Sequence, residues 1–145
     1  MGVQGVVDRR ASTGHWVILK VDMTNAFNTI CRQGVLHETQ TRCPSLFKYL
    51  RCCYQVNAPL FCGGQVLPSQ TGVHQGCPIG PIAFALGIHS VIERLQLIGG
   101  LLWQSWYLED GIIVGDALAV TTAVYQLSAD MTPQGLTINA AKCEL

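Results

Sequence analysis

Apolar and polar positions alternate along the chain in blocks that separate strands from helices. His15 to Val21 (His-Trp-Val-Ile-Leu-Lys-Val) is aromatic and β-branched and predicts a buried strand that ends at Asp22. Asn25-Ala26-Phe27-Asn28 reads as a turn into a short helix running to about Glu38. Pro44 sits where a first helical turn tolerates proline, and Leu46, Tyr49, Leu50 and Cys53 then keep helical spacing to Tyr54. Ala58–Cys62 and Gln65–Pro68, joined by Gly63-Gly64, predict a hairpin. A glycine and proline loop over residues 72–81 opens a long helix from about Ile82 to Leu97. Trp106 to Gly115 predicts a second hairpin with Glu109-Asp110-Gly111 at its tip, Gly111 supplying the positive φ where the strands reverse. Asp116 is a natural N-cap for a helix to about Met131, which Pro133 and Gly135 end, and Leu136–Asn139 predicts a last strand. Residues 1–14 read as a flexible lead-in. This order gives an α+β fold, an antiparallel sheet with helices packed on one face.

Composition sharpens that picture. The chain has 145 residues, enough for one domain with a real core, but 49% are apolar and only 12% charged. So little solvating surface suggests a piece of a larger protein, with apolar surface meant for neighbours. Nine basic and nine acidic residues cancel, which leaves no bulk electrostatic footprint for nucleic acid or membrane. Seven cysteines, an odd number with no Cys-x-x-Cys pair, argue against a disulfide framework. His74-x-x-Cys77 is the nearest approach to a metal pair and has no second pair, so reduced thiols packed as small hydrophobes are expected. Met1-Gly2-Val3-Gln4 lacks a signal pattern. The apolar window Ile82–Leu102 carries His89, Glu93 and Arg94, so it suits a buried helix and not a membrane span. An intracellular protein with no membrane partner is expected.

Adjacent carboxylates at a hairpin tip repel each other, so Glu109 and Asp110 imply either solvation or a cation. If the strand ending at Asp22 lies beside that tip, three carboxylates from two strands converge. Such a set holds two divalent cations ~3.5–4 Å apart, a clamp for phosphoryl transfer. Hard oxygen ligands favour magnesium.

Four segments then fall in one order: Val21-Asp22-Met23-Thr24-Asn25-Ala26-Phe27-Asn28, Gln75-Gly76-Cys77-Pro78-Ile79-Gly80-Pro81, Tyr107-Leu108-Glu109-Asp110 and Gly135-Leu136-Thr137-Ile138-Asn139-Ala140-Ala141-Lys142. Together they resemble motifs A, B, C and D of reverse transcriptases, in particular the non-LTR retrotransposon branch. The resemblance implies a polymerase palm with partial fingers and no thumb, making residues 1–145 a single partial domain. It implies RNA-directed DNA synthesis with two Mg2+ ions, for which Mn2+ can substitute, held by Asp22, Glu109 and Asp110 beside the Met23 carbonyl. It also implies that Phe27 stacks under the deoxyribose and that Gln75 and Gly76 line the nucleotide pocket, with Lys142 the proton donor to pyrophosphate. The implied partners are an RNA template, a DNA primer, dNTPs and further fingers and thumb segments of a longer polyprotein.

One position departs from the family. Its motif C is Tyr-x-Asp-Asp, and Glu109 stands where the first aspartate is expected. The extra methylene moves a carboxylate by up to ~1.5 Å, and a misplacement near ~1 Å costs on the order of a hundredfold in rate. A catalytically decayed remnant that binds nucleic acid or protein is therefore the alternative to an active module. An unrelated α+β domain with a solvated acidic hairpin is the third reading.

Overall fold

The centre of the sheet is β5 (Asp110–Asp116), flanked by β1 (Trp16–Val21) on one side and β4 (Leu101–Tyr107) on the other, all antiparallel. The computed structural model describes residues 15–145, so the expected lead-in over residues 1–14 lies outside it. The chain divides into two compact units. Of the described residues, a sheet unit takes 15–24, Val91–Thr132 and Thr137–Leu145; a helical unit takes Asn25–Ser90 and Pro133–Leu136.

In the sheet unit, Ile113 and Val114 of β5 are fully buried. Helix α5 (Ala117–Met131) packs on β5 and β1 through a stripe of small and aliphatic residues, Ala119, Val120, Ala123, Leu127 and Met131. It starts as the sequence predicts: the Asp116 carboxylate accepts a hydrogen bond from the Ala119 N–H at 2.7 Å. The β4–β5 hairpin is present, but its reversal differs from expectation. Tyr107 pairs with Asp110, so the two loop residues are Leu108 and Glu109, and Leu108 carries the positive φ of 55°. Gly111 is already inside β5, opposite both Val21 and Trp106. Its missing side chain serves packing instead, since a Cβ there would overlap the Trp106 indole. The expected last strand over Leu136–Asn139 reduces to an isolated bridge between Met23 and Ile138. Turn bonds from the Lys142 and Cys143 N–H groups to the Asn139 carbonyl, 3.0 and 3.1 Å, take the chain out of line before a strand can extend.

The helical unit holds α1 (Ala26–Thr29), α2 (Arg32–Arg42), α3 (Pro44–Tyr54) and the hairpin of β2 (Ala58–Cys62) with β3 (Gln65–Ser69). A turn over residues 25–28 leading into one short helix to about Glu38 is expected; the structure instead forms two helices separated at Ile30–Cys31 and carries the second to Arg42. The break is tertiary in origin. The Ile30 carbonyl accepts from the Gly72 N–H at 2.8 Å, and the Cys31 N–H donates to the Gln134 carbonyl at 2.7 Å, so long-range partners take up these backbone groups. Helix α4 (Gly80–Leu95) starts two residues earlier than predicted and buries Phe84, Ile88, Val91 and Leu95, one face at 3.6-residue spacing. Among the described residues no helix is long and apolar enough to cross a membrane.

Candidate functional site

In the sheet unit, β1 and the β4–β5 turn bring the acidic residues to one end of the sheet. Val21 stands opposite Gly111, so one step further along that register Asp22 and Asp110 face the same end, with Glu109 in the adjoining turn. The backbone at Asp22 is held on its other side. Its carbonyl accepts from the Asn139 N–H, and the Thr24 N–H donates to the Thr137 carbonyl, each at 2.9 Å. Met23, between them, is buried. Asp22 is therefore seated between β5 and the segment around Ile138.

Two oxygens at this end have no protein partner. Asp22 Oδ1 and Glu109 Oε2 are both buried and neither takes part in a hydrogen bond. A buried polar atom left unsatisfied costs about 1–3 kcal/mol, and more when charged, so such atoms are uncommon outside sites that receive something. Hard carboxylate oxygens without donors suit a hard divalent cation. The three carboxylates do not form a closed cage, however. Asp110 is exposed while Asp22 and Glu109 are half-buried, and among the described residues no group of three or more His, Cys, Asp or Glu side chains is arranged to hold a metal ion. The turn explains the divergence, because Glu109 is its second residue and Asp110 opens the following strand. Lys142 is exposed, in a turn closed by its N–H on the Asn139 carbonyl at 3.0 Å. Reciprocal bonds between Lys20 and Glu144, 2.8 and 3.2 Å, keep this segment beside β1.

The helical unit holds the other expected residues. Phe27 is half-buried, with one ring face stacked on Phe84 at 4.6 Å and 8°. The loop that follows β3 is laid on α1: the Val73 N–H donates to the Phe27 carbonyl at 2.7 Å and the Thr71 hydroxyl to the Asn28 carbonyl at 2.9 Å. Gln75 Nε2 donates to Asn28 Oδ1 at 3.4 Å, so Phe27 and Gln75 belong to one hydrogen-bonded assembly. Gly76 adopts φ 87°, a conformation that side-chain-bearing residues rarely take, and faces open space.

Arg32 completes this assembly, and the sequence pattern did not single it out. Buried, it donates from Nε to the Gly72 carbonyl (2.8 Å), from Nη1 to the Ser69 carbonyl (2.5 Å) and from Nη2 to Ser69 Oγ (2.7 Å). Its guanidinium lies 5.2 Å from the Tyr54 ring centroid, and burial pulls its pKa below the ordinary value. One signal was available. A cation in the first turn of a helix opposes the helix dipole, so Arg32 at the start of α2 needs a tertiary reason to be there.

The profile of the family described as reverse transcriptase (RNA-dependent DNA polymerase) matches residues 3–145. The chain belongs to the reverse transcriptase family. Solved structures agree on the fold of this reverse transcriptase domain. A telomerase from Candida albicans, in complex with a TWJ fragment of telomeric RNA, superposes with a TM-score of 0.70 at 13% identity over 97% of this chain. An apo telomerase from Candida tropicalis, truncated from its C-terminal domain, gives 0.68 at 12% identity over 97%. The domain spans 28% and 32% of those two chains. No curated protein sequence matches it.

Proposed function

We propose that this reverse transcriptase domain is the palm module of an RNA-directed DNA polymerase from a retrotransposon-like element, adding dNTPs to a primer 3′-hydroxyl on an RNA template. The observation that carries the reading is the pair of buried carboxylate oxygens, on Asp22 and Glu109, that no protein group satisfies. In a chain of this family, divalent cations are the natural counter-charge for them. Asp22, Asp110 and Glu109 would hold two magnesium ions, or manganese in their place, with the Met23 carbonyl alongside. Such ions, when bound, supply charge neutralisation to the attacking and leaving oxygens of nucleotidyl transfer. Phe27 supports the sugar of the incoming nucleotide and excludes a 2′-hydroxyl; Gln75 and Gly76 give it a polar edge and a backbone free of side-chain bulk. Lys142 is a cation from which departing pyrophosphate can take a proton. Residues 1–145 are one partial domain in this reading, and fingers and thumb segments of a longer polyprotein complete the grip on primer and template.

A second reading, a decayed remnant that binds nucleic acid or protein without chemistry, is favoured by Glu109 and by the lack of a three-ligand group among the described residues. Calorimetric titration of Mg2+ and Mn2+ into this chain, Asp22→Ala and Glu109→Asp separates the two. The polymerase reading expects binding that disappears in Asp22→Ala and tightens in Glu109→Asp. Three folded proteins with no binding would leave the remnant.

A further inference from the structure

One buried guanidinium holds the parts of the helical unit that carry Phe27 and Gln75. Arg32 grips both ends of the segment Ser69–Gly72: Nε bonds the Gly72 carbonyl, Nη1 the Ser69 carbonyl and Nη2 the Ser69 hydroxyl. A planar fork of donors fixes these acceptors relative to one another, which a single ammonium cannot do. The gripped segment then lies on α1. Its Gly72 N–H bonds the Ile30 carbonyl at 2.8 Å, and Thr71 and Val73 take the Asn28 and Phe27 carbonyls. These are carbonyls of the kind that a helix end leaves without partners, and a helix of four residues does not persist alone in water. The approach is close: a Cβ at residue 72 would lie 2.6 Å from the carbonyl oxygens of both Phe27 and Asn28. The backbone of Phe27 is therefore set by the loop, and the loop by Arg32. The guanidinium also lies against the Tyr54 ring, whose hydroxyl accepts the N–H of His74, the residue before Gln75.

We propose that Arg32 is a positioning residue for the nucleotide pocket and that, through Phe27 and Gln75, it sets the preference for a deoxyribose over a ribose. What Phe27 and Gln75 contact rests on the polymerase reading; what holds them rests on the hydrogen bonds around Arg32. Sugar selection at Phe27 is steric, since the ring has to stand close enough to the 2′ position to collide with a hydroxyl. Phe84 braces the ring on one face, and the loop fixes the backbone that carries it. Without the fork, the Ser69 and Gly72 carbonyls lose their donor and the Thr71–Val73 segment loses its seat. The single turn of α1 then loosens, and Phe27 and Gln75 shift together, because Gln75 bonds Asn28 on the same turn. A displacement of about 1 Å suffices to spoil a contact that depends on fit. Lysine at this position keeps the charge and loses the fork, so it separates the two contributions.

The test compares the full chain with Arg32→Lys and with Ser69→Ala, which removes one hydroxyl acceptor of the fork. Amide hydrogen exchange is read residue by residue, and dTTP and UTP are titrated into each protein in the presence of Mg2+. The Gly72, Val73 and His74 amides should exchange about tenfold faster in Arg32→Lys. The Cys43 amide, bonded to the Thr39 carbonyl at the far end of α2, should keep its rate. The dissociation constants for the two nucleotides should converge in the same variant, with Ser69→Ala between it and the unmodified chain in both readouts. Exchange that rises equally across the helical unit would make Arg32 a general stabilising group, and an unmoved dTTP-to-UTP ratio would remove it from sugar selection; either result overturns the proposal. If Arg32→Lys does not fold, Ser69→Ala carries the comparison. An unmodified chain that binds neither nucleotide defeats the polymerase reading and sugar selection with it, and the exchange rates then still decide whether Arg32 holds the loop.

Discussion

Tyr54 concentrates several forces on one side chain. It is 4% exposed, its hydroxyl accepts the His74 N–H, and Arg32 lies over its ring. Burial is the largest influence and raises its pKa above the ordinary 10.0, the His74 N–H pulling the other way. The folded state thus holds this proton more tightly than the unfolded chain does. Its contribution to stability is complete below pH 10 and is lost as pH rises through the raised value. Urea midpoints should therefore fall as pH climbs above 10, and Tyr54→Phe should reduce that fall. Some slope should remain, because the Tyr49 phenol is raised as well. At the same scale, Glu109 carries one methylene more than an aspartate, and its Oε2 is buried without a hydrogen-bond partner.

Elements were legible in the sequence wherever their cause is local. Asp116 marked the start of α5 because its carboxylate caps an N–H three residues on. Removing it as Asp116→Ala should cost about 1 kcal/mol, read as a lower denaturation midpoint with an unchanged slope. Ala58–Cys62, Gly63-Gly64 and Gln65–Pro68 gave the outer hairpin almost to the residue. The failures share a cause that local pattern does not carry. Ile30 and Cys31 look helical until Gly72 and Gln134 claim their backbone groups, and Asp-Gly looked like the turn because Trp106's need for space at Gly111 is a cross-strand matter. Candidate-site residues divide in the same way. The positions of Asp22 at a strand end and Glu109 in a reversal could be read directly. The Asn28 bond to Gln75 and the anchoring by Arg32 join residues some forty positions apart and needed the fold.

Across the molecule, neutrality conceals an uneven distribution of charge. The helical unit contains four basic residues, Arg32, Arg42, Lys48 and Arg51, against the single acid Glu38; among the described residues the sheet unit carries three basic and seven acidic ones. From Cys52 to Ile92 there is no Lys, Arg, Asp or Glu at all. If the domain holds primer and template, phosphate contacts from the helical unit fall to Lys48 and Arg51, because Arg32 is buried and Arg42 pairs with Glu38 at 2.8 Å. Fluorescence anisotropy with an RNA–DNA duplex at several salt concentrations tests this. Lys48→Ala and Arg51→Ala should each weaken binding alike on all sequences and flatten the salt dependence by about one unit of slope. Unchanged slopes would remove these side chains from the contact.

The β4–β5 reversal contains only Leu108 and Glu109. Strand residues alternate between faces, so one residue added or lost there would turn the buried Ile113 and the rest of β5 inside out. A change of residue type at this spot leaves the count, and with it the register, as it is; a change of count does not. Relatives of this chain should therefore record drift at the turn as spelling, with insertions and deletions collecting elsewhere.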